Sequence, residues 1–182
     1  MVIASPMNEE ELRHMMFTAQ LEGIGPIAIR YPKGRGVMPQ WKTPMKALEI
    51  GKGRMICDGI EAAIITLGHV GNYAVEVCRE MEKSGIRVAH FDLRFLKPLD
   101  EDLLHGIFRK FSKILTVEDG SVMGGMGSSI LEFMADHGYQ AQVRRLGIPD
   151  SFIEQGSVAE LHLECGFDAE GIGKEVREIL SK

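Results

Sequence analysis

The six residues from Ala62 to Leu67 read AAIITL, and only Thr66 in that run carries a polar side chain. A strand with one wet face alternates apolar and polar positions, whereas a run without a polar face needs cover on both sides. That stretch alone demands helices above and below it. The following residues supply one: Val70, Tyr73, Ala74, Val77, Cys78 and Met81 fall on one helical stripe, which Gly85 ends. Ile86 to Leu93 reads as the next strand, and Pro98 with Asp100 opens a helix carrying Leu103, Leu104, Ile107, Phe108 and Phe111. Lys113 to Val117 and Gln140 to Leu146 read as strands, with a helix from Gly125 to His137 between them. Ser157 with Glu160 forms a capping box for a short helix, and Asp168 caps a last one carrying Ile172, Val176, Ile179 and Leu180. Strands alternating with covering helices imply a three-layer α/β/α domain around a mostly parallel sheet.

The N-terminal stretch has another character. Val2 to Ala4 and Pro26 to Tyr31 read as strands. Asn8 and Glu11 form a capping box between them, for a helix whose apolar face is Leu12, Met15, Met16 and Ala19. A strand-helix-strand unit of this size cannot bury its own core, so residues 1–34 are expected to be the end of a domain. Gly34, Gly36, Pro39 and Pro44 punctuate the aperiodic stretch after it, giving a linker at 35–44 and a second domain at 45–182. Ala47 to Ile56 is expected to be that domain's first strand, bent at Gly51 and Gly53.

Of the 182 residues, 21 are basic and 26 acidic, and the longest basic run is the pair Arg144 and Arg145. No stripe fit to follow a phosphate backbone exists, which argues against a nucleic-acid partner. No apolar run is long enough to span a bilayer as a helix, and Glu9, Glu10 and Glu11 stand where a signal peptide would be apolar. Cys57, Cys78 and Cys165 are odd in number and widely spaced, so they read as reduced thiols of a cytoplasmic protein.

Ligands of open α/β sheets sit beyond the carboxyl ends of the strands. Those ends bring forward His69, Asp92 and Glu118 as possible acid–base groups, although capping and turn closure are the more ordinary duties of such residues. The glycine-rich turn from Met123 to Ser129 (MGGMGSS) could hold an anion at a helix start. It lacks the lysine of a P-loop and the last small residue of a dinucleotide fingerprint, so a tight strand-to-helix turn is the plainer reading. The six histidines show no metal-ligand spacing; His14, His105, His137 and His162 read as partly exposed helix residues.

Four segments in order carry a resemblance: IAIRYPKG from Ile27, LRFLKPLD from Leu93, VEDGSVMGGMGS from Val117 and LGIPDSFIEQG from Leu146. With ASPMNEEEL from Ala4 and CGFDAEG from Cys165, they make the whole chain resemble the C-terminal part of the 1-deoxy-D-xylulose-5-phosphate synthase family, which is transketolase-like. The resemblance implies that residues 1–34 finish a pyrimidine-binding domain and that 45–182 form a transketolase C-terminal domain, with a five-stranded mixed sheet whose first strand is antiparallel. It implies a homodimeric enzyme that joins pyruvate to glyceraldehyde 3-phosphate with thiamine diphosphate and Mg²⁺. It also implies that Arg30, within RYPKG, contacts the substrate phosphate; pairing with a nearby carboxylate or covering the domain junction is the plainer alternative.

The family's G-D-G motif and downstream Asn hold the metal and diphosphate. Here Glu118-Asp119-Gly120 lacks the first Gly, and both asparagines, Asn8 and Asn72, precede it. By itself the stretch is therefore expected to be non-catalytic and to bind neither cofactor nor metal. Two other readings stand beside it: a free-standing anion- or nucleotide-binding module, and a part resembling a 2-oxo acid dehydrogenase β subunit.

Overall fold

The computed structural model describes residues 1–38 and 40–181; Pro39, one of the residues that mark the expected linker, lies outside them, as does Lys182. Strands and helices alternate as β1 (Val2–Ala4), α1 (Glu9–Thr18), β2 (Ile27–Ile29), β3 (Arg54–Cys57), β4 (Ala62–Leu67), α2 (Gly71–Lys83), β5 (Val88–Asp92), β6 (Phe95–Lys97), α3 (Glu101–Lys110), β7 (Lys113–Ser121), α4 (Met126–Asp136), β8 (Gln142–Ile148), α5 (Val158–Glu164) and α6 (Ala169–Leu180). Every residue of β4 is buried. It is the middle strand of a five-stranded sheet ordered β3-β5-β4-β7-β8, parallel except for the antiparallel edge strand β3. Alternate residues of β4 feed opposite cores. Ala63 and Ile65 meet Leu104 and Ile107 of α3 and Ile130 of α4, while Ala62 and Ile64 meet Val77 of α2 and Val176 of α6. Burying each such large aliphatic side chain contributes about 1.5–3 kcal/mol. The three-layer architecture expected from the apolar run is the one observed.

The N-terminal unit is completed from elsewhere in the chain. β1 lies between β2, which is parallel to it, and β6, which is antiparallel and follows directly on β5 of the large sheet. The chain switches sheets at Arg94, which takes a left-handed backbone with φ +59°. That conformation costs a non-glycine residue about 1–3 kcal/mol. The side chain offsets it: Arg94 Nε donates to Glu11 Oε1 at 2.7 Å, in a cluster where Arg54 lies 2.6 Å from the same oxygen and 3.2 Å from Asp92. Glu11 Oε2 accepts from Met7 N at 3.0 Å, so only half of the expected capping box forms, the Asn8 side chain to Glu11 N.

Three expectations change here. The inner side of α1 carries Glu11, His14 and Thr18 beside Met15, while Met16 is exposed. These polar groups find partners in the irregular chain after β2: Lys46 N reaches His14, and Leu48 N reaches Thr18 Oγ1 at 2.8 Å. Residues 47–50 are not strand; Leu48 and Ile50 turn inward onto Ala4, Met15 and Phe95. The strand begins at Arg54, after a turn that Asp100 holds by accepting from Gly53 N at 2.9 Å. Finally, β6 was not expected at all.

β5 carries two buried groups that titrate in opposite senses. Burial, reinforced by Arg54, pushes His90 down to about 3 from 6.5, so the unfolded chain takes up the extra proton between those values and stability rises with pH there. Burial, reinforced by Glu11 and opposed by Arg54, pushes Asp92 up to about 7 from 3.8, so stability falls as pH rises through that range. Urea unfolding between pH 4 and pH 7 should therefore give Asp92→Asn a more positive slope of stability against pH than the wild type, and His90→Asn a more negative one. Slopes identical to the wild type in both variants would contradict this assignment.

Candidate functional site

The carboxyl end of β4 turns sharply at Gly68, whose φ is +83°. A Cβ there would stand 2.3 Å from Ser5 Oγ, so the turn and the N-terminal segment touch only because the residue is glycine. Asn72, the second residue of α2, donates to the carbonyls of Met7 (2.8 Å) and His69 (2.7 Å) and fastens the two together. On the other side, Arg30 follows β2, donating its backbone N–H to Ala4 O at 2.8 Å, while its carbonyl accepts from Ser5 Oγ. The N-terminal unit is thus pinned over the edge of the large sheet.

Four side chains from four parts of the chain converge there. Asp119 Oδ2, near the end of β7, lies 3.4 Å from Arg30 and 3.7 Å from His69 Nε2. His162 of α5 lies against His69, ring centroids 5.2 Å apart, and its Nδ1 stands 3.1 Å from the Tyr73 hydroxyl. Burial pushes both histidines down, against the upward pull of the Asp119 carboxylate; His162 further lowers His69. Two neutral imidazoles and one carboxylate, with donor atoms all within 4.8 Å of one another, are a set a cation could bridge. Beside them opens a cavity of about 470 Å³, between the chain from Tyr31 to Val37 and the side chains of His69, Asn72, Tyr73 and His162.

Of the three acid–base candidates read from strand ends, the structure brings only His69 to this site. Asp92 is fully buried in the ion cluster with Arg54. Glu118 points the other way, accepting from the backbone N–H groups of Met126 (2.8 Å) and Gly127 (2.9 Å). The glycine-rich turn therefore does form an anion cradle at a helix start, and the chain's own carboxylate fills it. A Cβ on Gly125 would stand 2.3 Å from Glu118 Oε2, which explains that glycine. His162, expected to be partly exposed, is buried. Sequence reading missed it because its partners His69 and Asp119 lie in distant segments, and no spacing rule joins them. The plainer reading of Arg30, pairing with a carboxylate, is met by Asp119.

Residues 51–172 match the family model of the transketolase C-terminal domain. Across 98% of its length the chain is 56% identical to 1-deoxy-D-xylulose-5-phosphate synthase of Cytophaga hutchinsonii, and across 97% it is 53% identical to the synthase of Bacteroides thetaiotaomicron. It spans 28% and 27% of those two relatives. Among solved structures, a chain described as "Split gene transketolase, inactive beta4 tetramer" superposes over 99% of this chain and 58% of its own, with a TM-score of 0.86 at 28% identity.

The matched span includes the Glu118 cradle, where two charge-assisted hydrogen bonds are each worth about 1.5–3 kcal/mol. Glu118→Ala should lower stability by about 3 kcal/mol in denaturant titrations, and Glu118→Gln by less. Sulfate should then restore part of the alanine variant's loss by entering the vacated cradle, beyond the general stabilisation it gives the wild type. No excess effect of sulfate would show that the cradle closes without its carboxylate.

Proposed function

The chain belongs to the transketolase C-terminal domain family, and we propose that it serves as the C-terminal part of a 1-deoxy-D-xylulose-5-phosphate synthase. The observation that carries this reading is the 56% identity to such a synthase over 98% of the chain, N-terminal unit included. The enzyme would join pyruvate to glyceraldehyde 3-phosphate with loss of carbon dioxide, using thiamine diphosphate and Mg²⁺. Within it, Arg30 receives the phosphate of the aldehyde. The residue directly precedes the cavity-lining Tyr31, and its side chain is 55% exposed and pairs with Asp119 until a stronger anion arrives. Thiamine diphosphate supplies the carbanion chemistry when bound, and this chain's own residues do not fit its diphosphate and Mg²⁺. In Glu118-Asp119-Gly120 the first carboxylate is committed to the start of α4, and the second faces Arg30 and His69. This chain's part is therefore to place Arg30 and wall the cavity.

The free-standing anion module is not favoured, since Glu118 fills its cradle, and neither is a 2-oxo acid dehydrogenase part, since the relatives named above are synthases. A homodimer in the cytoplasm fits the reading. Phe152, Met16, Val37 and Leu163 are exposed apolar side chains that a second subunit could cover, and the split-gene relative is described as a tetramer. No helix among the described residues is long and apolar enough to cross a membrane.

Two outcomes test this. The 182-residue chain alone should neither decarboxylate pyruvate nor bind thiamine diphosphate with Mg²⁺ in a calorimeter; micromolar binding would overturn the assignment of its residues. In the complete synthase, Arg30→Ala should lower kcat/KM by about 10- to 150-fold with the phosphorylated aldehyde, the worth of one charge-assisted contact. Arg30→Lys should recover part of that, with cofactor affinity unchanged. An equal loss with a non-phosphorylated aldehyde would make Arg30 a structural residue.

A further inference from the structure

We propose that His69, Asp119 and His162 form a binding site for a divalent transition-metal ion of the zinc type, separate from the cofactor's Mg²⁺. Three donors from the turn after β4, from β7 and from α5 converge within 4.8 Å. Zinc–nitrogen and zinc–oxygen bonds of about 2.0–2.2 Å at tetrahedral angles put ligand atoms roughly 3.3 Å apart, so the longest separation has to close by about 1.5 Å. The side chains of His69 and Asp119 are partly exposed, and closing that distance takes rotation of these side chains.

Two further observations point to a ligand. His69 Nε2 is buried and has no hydrogen-bond partner, although Asp119 stands 3.7 Å away. A buried polar atom left without a partner is destabilising, and a metal bond would remove that cost. His162 is held as ligating imidazoles usually are, its ring packed against Phe167 at 4.8 Å between centroids and its Nδ1 facing the Tyr73 hydroxyl. Two nitrogens and one carboxylate select zinc, cobalt or nickel over magnesium or calcium. Three protein ligands leave a fourth position for water or for an oxygen of a molecule in the adjoining cavity.

The competitor is Arg30, the cation now 3.4 Å from Asp119. An ion in the site would take over Asp119 and release the guanidinium toward the cavity.

Cobalt(II) is the probe, because its visible bands report coordination. The full 182-residue chain should take up one Co²⁺, displaced by Zn²⁺, with nitrogen- and oxygen-type bands and no thiolate charge-transfer band. His69→Gln and His162→Gln should each abolish stoichiometric uptake with circular dichroism unchanged. Arg30→Met removes the competing charge at an exposed position and should tighten binding, on the order of tenfold. The absence of uptake by the wild type, a thiolate band assigning the metal to the cysteines, undiminished binding in the histidine variants, or weaker binding in Arg30→Met would each overturn the site. Uptake is read without turnover, so its failure would leave the proposed role of Arg30 standing.

Discussion

One buried carboxylate decides how the two halves of this chain sit. Glu11 belongs to α1 of the N-terminal unit, and its Oε1 meets both Arg54 from the edge strand of the large sheet and Arg94 from the switch between sheets. Such an ion cluster adds little net stability, because taking the charges out of water costs about as much as their attraction returns. Its value lies in what happens on displacement: sliding the unit by a few ångströms leaves charges buried without partners. A slippery hydrophobic junction would tolerate that slide, and this one does not. The position of Arg30 over the carboxyl edge of the sheet follows from it.

That edge divides its polar residues between scaffold and site with little overlap. Glu118 and Asp119 are neighbours on one strand and so face opposite ways. One closes the start of α4, and the other looks toward Arg30 and the two histidines. The same alternation gives β4 its two cores. A sheet edge can therefore hold a buried structural carboxylate and one that faces the cavity-side cluster next to each other.

What could be read in advance follows the range of the forces involved. β4, the stop at Gly85 and the caps at Asp100, Ser157 and Asp168 are local matters, settled by a residue and its near neighbours. α1 misled because helical spacing locates an apolar face but not the polar partners that bury the other side; Thr18 and His14 face inward only because Lys46 and Leu48 come back to them. β6 is three residues long and ends against Pro98, too short for periodicity to register. His162 joins the site through the fold alone, since α5 must first be laid beside α2. His69 was legible, because a strand's end is itself a local signal, whereas Arg30 was singled out by the resemblance.

β6 has a consequence for how the molecule acquires its shape. Pairing Ile3 with Lys97 and Ala4 with Phe95 ties β1 to a segment made much later. Until that segment emerges, β1 presents an open edge to solvent, and the loop that must close around it includes three strands of another sheet. Non-local pairing of this kind is slow to form and exposes the nascent chain to wrong partners. The N-terminal unit is thus a late-maturing part: β1 and β2 are made before the large sheet and are locked in place only after that sheet has begun to assemble.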